Sequence, residues 1–346
     1  MKHVHDMGDI YQFFNEYIEK KQFNEGYCRG LKVCIRSVAR FELYMRKTDL
    51  KYKEFKFNVN TVTRKNIEKF RKYLSKEKEL SEKHPMIFEY ILETYRENFN
   101  GGNFRVNYRG ENFIHNLMKK LKSFFQWLNR EGITQNNPFV GIDLGSERYG
   151  TPYYITSKER DIIASTTMPS NHLETQRDIF IFQCLVGCRV GDLMRFTSSN
   201  IVDGILVYTP HKTKDDSSHS FQARVPLHDK AKQLIGKYKG VDQRGRLFPV
   251  ISQQRYNDDI KEIFTIAGVT RIVEIRNSLT GEYEYRPINE IASSHLARRT
   301  FVGNLYSKVK DPNLIGKMSG HVDGSKAFAR YRKIEDETLK SVIDLL

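Results

Sequence analysis

Residues 185–196 read LVGCRVGDLMRF. The apolar-rich run before them, 171–186, predicts a helix that enters Gly187, a residue able to take the left-handed cap conformation. Arg189 falls in the turn, and a new helix starts behind it with Leu193 and Phe196 toward the core. An arginine caught between two helices is presented rigidly. On this segment alone, a surface salt-bridging arginine is the plainer reading.

Downstream, a hairpin is expected, with Ile201–Thr209 running out, Phe221–Leu227 returning, and PHKTKDDSSHS between them. The turn holds Lys212, Thr213 and Lys214, and turn lysines are usually just solvated. Helices are expected at 157–166, 228–239, 253–266, 294–307, 311–318 and 325–332. In SSHLARRTFVGNLY, residues 293–306, Ser293 or Ser294 can cap the helix, which puts His295 at its start. His295 and Arg298 are three apart and share a face. With the free N–H groups and the helix dipole, that face is a place for an anion; a plain surface charge pair is the alternative. In DPNLIGKMSGHVDGSKAFARYRKI, residues 311–334, Asp311 and Pro312 open a helix and Gly320 closes it. His321 follows in the turn, and Tyr331 stands between Arg330 and Arg332, where a tyrosine could simply stack or snorkel. The tail EDETLKSVIDLL places Leu339, Val342, Ile343 and Leu346 on one stripe.

Upstream, the first 140 residues read as helices. DIYQFFNEYIE, residues 9–19, carries Ile10, Phe13, Phe14, Tyr17 and Ile18 at helical spacing. Residues 24–46 repeat the stripe with Leu31, Cys34, Ile35, Val38 and Phe41. Residues 60–76 open with Asn60 and Thr61 as cap types, and 111–129 place Phe113, Leu117, Leu121, Phe124, Phe125 and Leu128 on one face. Trp127 reads as core. Residues 131–157 lose periodicity and gain Gly, Asn and Pro, as a linker does. The expected layout is a helical domain over 1–140, a linker over 141–156 and a second domain over 157–346. The fold class is mainly α with a small antiparallel β element.

The chain has 346 residues, enough for two cores, and 39% hydrophobic residues, enough to fill them. No run approaches the roughly 18 apolar residues of a membrane helix, and MKHVHDMGDI lacks a signal-peptide apolar core, so a cytoplasmic protein with no membrane partner is expected. Four cysteines make no disulfide framework, and Cys184 and Cys188, four apart without a second pair, read as incidental thiols. The net charge is +15. The surplus is 9 in residues 1–150 and 6 in the rest, so it is spread over both halves. A nucleic acid gripped by both halves matches that spread, since phosphate contacts dominate its affinity.

In the order Arg189, Lys212, His295-x-x-Arg298, Gly320-His321, Tyr331, these pieces resemble the catalytic domain of the tyrosine site-specific recombinases, the phage-integrase-like family. The resemblance spans roughly residues 155–334. The first half is similar to that family's helical core-DNA-binding domain in length and pattern, and SGHVDGSKAFARYRKI is similar to integrases on mobile elements of the Bacteroides group. Two departures are visible. Tyr331 stands one residue further from His321 than is usual in the family, which an extra residue in loop 322–325 absorbs. The first box reads Gly-Cys-Arg-Val-Gly-Asp-Leu, so Asp192 keeps the acid while Gly191 replaces a serine.

The resemblance implies site-specific recombination of double-stranded DNA, integrating or excising a mobile element through a covalent 3′-phosphotyrosine. It implies Tyr331 as nucleophile, His295 as base, and Arg189 and Arg298 on the non-bridging oxygens. It further implies Lys212 (or Lys214) as donor to the leaving 5′-hydroxyl and His321 on the scissile phosphate. No cofactor and no metal are expected, because positive side chains do the electrostatic work. A homotetramer on paired sites is expected, with accessory DNA-bending or excision factors as further partners. The same chemistry would serve a DNA invertase or a type IB topoisomerase, and a non-catalytic DNA-binding protein could keep the fold.

Overall fold

The computed structural model describes residues 9–99, 106–211, 222–309 and 311–320. By internal contacts the chain divides into two units. One is Met1–Tyr149 with Asn277–Glu282, the other Gly150–Arg276 with Tyr283–Leu346.

The first unit is helical: α1 Ile10–Lys21, α2 Glu25–Thr48, α3 Arg64–Lys83, α4 Pro85–Phe99 and α5 Glu111–Arg130. Asp9 and Asn24 cap α1 and α2 with side-chain oxygens. The expected start near Asn60 is corrected. Thr63 is the cap of α3, closed into a reciprocal box with Asn66, whose side chain accepts from the Thr63 N–H at 2.9 Å. Helix α4 has no counterpart in the sequence reading. On α5 the inward stripe is Ile114, Leu117, Leu121, Phe124 and Leu128, and Phe113 is 46% exposed. Trp127 is buried, stacked on Phe124 and tilted against Tyr17. A buried ion cluster crosses this core. Arg40 Nε reaches Glu77 Oε1 at 2.6 Å, Arg109 reaches the other oxygen, and the Tyr73 hydroxyl donates to Oε1 at 2.9 Å. Burial pushes the Glu77 carboxyl up, but Arg40 and then Arg109 pull it further down, leaving it below the ordinary carboxylate range.

The second unit packs eight helices and two small antiparallel sheets, among the described residues. The helices are α6 Ser157–Ser165, α7 Asn171–Val186, α8 Val190–Leu193, α9 Asp229–Lys237, α10 Gln253–Ile266, α11 Ile288–Ile291, α12 Ser294–Lys308 and α13 Pro312–Ser319. Helix α7 is the central one. Ile179, Phe180, Ile181, Phe182, Cys184 and Val186 are all buried, so no polar face survives. Asp178 ties α7 to α9 by accepting from Lys237 at 2.7 Å and from the Tyr238 hydroxyl at 2.9 Å.

The expected strand Ile201–Thr209 is two strands. Asp203 and Gly204 both have positive φ, 50° and 75°, and turn β1 Ile201–Val202 back onto β2 Ile205–Tyr208. β2 then pairs with β3 Ala223–Pro226, as the predicted hairpin requires. The second sheet, β4 Ile272–Arg276 with β5 Tyr283–Pro287, lies in a stretch the sequence reading left unassigned. The fold is mainly helical with small antiparallel sheets, as expected. No helix among the described residues is long and apolar enough to cross a membrane.

Candidate active site

Helix α7, held at its start by Ser170, stops at Gly187. That residue takes φ 68°, and its N–H donates to the Gln183 carbonyl at 2.9 Å. A methyl group there would stand 2.3 Å from the Phe301 ring, so both the backbone and the space demand glycine. Gln183 locks the corner from inside. Its amide donates to the Cys188 carbonyl at 3.1 Å and accepts from the Tyr256 hydroxyl at 3.2 Å. Arg189 emerges from this corner as the cap residue of α8. Its Nη1 is buried and meets no hydrogen-bond acceptor among the described residues.

The single turn of α8 presents Asp192. Its Oδ1 accepts from the backbone N–H of His211 at 3.0 Å, and its Oδ2 is buried with no hydrogen-bond partner among the described residues. Helix α12 begins opposite, where the Ser294 N–H donates to Asn257 Oδ1 of α10 at 2.9 Å. Leu296, Ala297 and Val302 are buried in the core. Gly303 lets α12 approach closely, since a methyl group there would lie 2.6 Å from the Tyr154 ring. This packing leaves His295 exposed in the first turn and draws Arg298 inward, to 3% exposure. Arg298 Nη1 donates to the Gly187 carbonyl at 2.8 Å and also to the Ser319 carbonyl. One guanidinium nitrogen therefore joins the ends of α7 and α13.

Arg189, His295 and Arg298 line one cleft of about 450 Å³. Asp192, Arg195, His211, Gln253 and Ser294 complete its wall. Two groups behind the cleft stay neutral at ordinary pH. Burial, with Asp192 adding to it, pushes the Cys188 thiol up, and burial pushes the Tyr208 phenol up well beyond the ordinary range. Neither supplies a negative charge to offset the guanidiniums. Cys184 and Cys188 are free, buried thiols. The cleft, with the N-terminus of α12 at its edge, offers planar donors and positive potential to an anion. Among the described residues that line it there is no tyrosine.

Three of the six residues expected to act together thus share a cleft. The other three, Lys212, His321 and Tyr331, lie outside the described residues, as do Lys214, the helix expected at 325–332 and the tail helix. The description reaches their thresholds at His211 and Gly320. Sequence reasoning missed His211, Arg195 and Gln253. The first stands next to Lys212 in a stretch read only as a turn. Arg195 lies inside the 185–196 stretch but is not one of the residues that carry the resemblance, and Gln253 opens α10 with no motif around it.

The fold is that of the integrase-type tyrosine recombinases. A lambda integrase dimer bound to a COC′ core site covers 94% of this chain and 95% of its own at 15% identity, with a TM-score of 0.56. The Tn1549 transposon integrase, in complex with a circular intermediate DNA, covers 98% of this chain and 99% of its own at 11% identity, with a TM-score of 0.62. A lambda integrase tetramer bound to a Holliday junction covers 96% of this chain and 82% of its own at 15% identity, with a TM-score of 0.55. At these identities the likeness is one of fold. No protein-family model matches the chain, and no curated protein sequence does.

Proposed function

We propose that this chain is a tyrosine site-specific recombinase that integrates or excises a mobile element, of the kind found in the Bacteroides group. One observation carries the reading: Arg189, His295 and Arg298, far apart in sequence, line one cleft in a chain with the integrase fold.

The phosphodiester gains negative charge as a hydroxyl attacks it. Arg189 and Arg298 hold the non-bridging oxygens, and donors of this kind contribute about 2.7–4 kcal/mol each in analogous oxyanion sites. Tyr331 attacks phosphorus and loses its proton to His295. The bond to the 5′-oxygen breaks, Lys212 protonates that oxygen, and His321 hydrogen-bonds the phosphate. The 3′-phosphotyrosine keeps the bond energy for rejoining.

The proposed layout is a DNA-gripping helical domain over 1–140, a linker over 141–156 and the catalytic domain over 157–346. The basic surplus in both halves of the sequence supports a duplex held by both domains. Assembly as a homotetramer on paired sites is supported by the lambda integrase tetramer with the same fold. Accessory DNA-bending or excision factors complete the proposed set of partners, and the compartment is the cytoplasm.

The test is a suicide duplex nicked near the cleavage site. The wild-type chain is expected to become covalently attached through Tyr331, and Tyr331→Phe to bind DNA without forming the adduct. An adduct that persists in Tyr331→Phe sinks the assignment and moves attention to Tyr306.

A further inference from the structure

We propose that His211 is a further substrate-contacting residue of this cleft, an additional imidazole that meets the phosphate beside His295 and delivers charge to it when protonated. The inference rests on reading the cleft as a phosphate site, and it extends the residue set to a position outside the recombinase pattern.

Three observations carry it. His211 lines the same cleft as Arg189, His295 and Arg298. Its backbone is anchored there, because its N–H donates to Asp192 Oδ1 at 3.0 Å and Asp192 is only 6% exposed. A buried carboxylate three residues beyond Arg189 thus holds the His211 backbone to α8. Finally, the His211 side chain is exposed, and its ring makes no hydrogen bond or ion pair with any described residue. A histidine at a fixed place in a basic cleft, its ring uncommitted among the described residues, can meet a ligand.

Electrostatics make its role conditional. From α8 and the residues flanking it, Arg189, Asp192 and Arg195 share the cleft with it, and from α12, His295 and Arg298 do; α10 contributes the neutral Gln253. Three guanidiniums and one carboxylate share the cleft with His211, so the cleft is net positive and suits an anion. An imidazole gains a positive charge on protonation, and an anion beside it favours that charged form. Binding and protonation are therefore linked, and each strengthens the other.

The experiment uses the full chain labelled with ¹³C in the histidine rings, with resonances assigned through His211→Gln and His295→Gln. Its pH titration is followed without and with inorganic sulfate, which remains a dianion throughout. Sulfate is expected to raise the His211 pKa by roughly 0.5–1 unit, equivalent to about three- to tenfold tighter binding by the protonated form. His211→Gln should then weaken sulfate binding by a similar factor near about pH 6 and hardly at all near about pH 8.5. His211→Arg should bind at both.

A His211 pKa that saturating sulfate leaves unmoved overturns the proposal, as does equal sulfate affinity of His211→Gln and wild type at both pH values. Adduct formation on the suicide duplex, measured with the same proteins, separates the two levels. A sulfate-linked His211 with no DNA adduct keeps the anion contact and removes the recombinase reading. An adduct with an unlinked His211 does the opposite.

Discussion

Gly187→Ala is the perturbation that probes how the arginine pair is built. Gly187 ends α7 at φ 68°, a region that costs an alanine roughly 1–2 kcal/mol. The added methyl group would also stand 2.3 Å from the Phe301 ring, and relieving such overpacking costs roughly 1–3 kcal/mol. The two costs have different origins and together come to roughly 2–5 kcal/mol. For a unit of this size that lowers the melting temperature by roughly 5–15 °C. Calorimetry of the full chain reads the shift. Gly187→Ala combined with Phe301→Leu should recover most of the contact cost and none of the backbone cost, a coupling of roughly 1 kcal/mol or more. Sulfate affinity should fall in Gly187→Ala, because the carbonyl that moves is the one Arg298 donates to at 2.8 Å. A single mutant that melts within about 1 kcal/mol of wild type would refute the account of the corner.

Other expectations follow from the same structure. Arg189→Ala and Arg298→Ala should each slow adduct formation by roughly 10²–10³ with little loss of DNA binding, since affinity is spread over many phosphates; equal losses of both would make them ordinary phosphate anchors. Of the two, only Arg298→Ala should also lower thermal stability, as it strips the Gly187 and Ser319 carbonyls of a shared donor. Gly191→Ala should be tolerated, for a methyl group there meets nothing within 4 Å, and a gain of roughly 0.5–1 kcal/mol in urea unfolding is expected from the stiffer chain. Arg40→Met should cost the first unit roughly 3 kcal/mol by leaving Glu77 with only Arg109 and Tyr73 as partners. Because the folded Glu77 pKa is depressed, its pairing stabilises fully above the unfolded value of about 4.3 and is lost as pH falls through the folded value. Urea midpoints should therefore drop on acidification in wild type and less in an Arg40→Met/Glu77→Met chain.

The parts of the fold that could be read from sequence are those where local chemistry and tertiary packing agree. Helix α7 was expected at 171–186 and runs Asn171–Val186, because Ser170 and Gly187 mark its ends by mechanisms independent of the core. α13 repeats this with Asp311, Pro312 and Gly320. Hydrophobicity alone was a poorer guide. Phe113 looked like core and is exposed, since the face of α5 is centred one residue on, at Ile114. The Asp203–Gly204 turn was overlooked inside an apolar run, although that dipeptide is a hairpin signal. The β4–β5 hairpin buries Val273 but exposes Tyr283 and Tyr285, so its pattern is weak. At the candidate site, the spacing of His295 and Arg298 pointed to a shared anion face. It could not show that Arg298 is buried while His295 is exposed, because that depends on α12 packing against Gly187 through Phe301 and against Tyr154 through Gly303.

Arg298 has one more consequence. Its Nη1 contacts the carbonyls of Gly187 and Ser319, the last of which lies in the final residue of α13. The guanidinium is seated only while both helix ends are docked. Short helices open locally at far lower cost than a core melts. Undocking of α13 therefore takes the charge out of register while the rest of the unit stands. The cleft behaves as a clasp, assembled only while α13 stays docked against the end of α7.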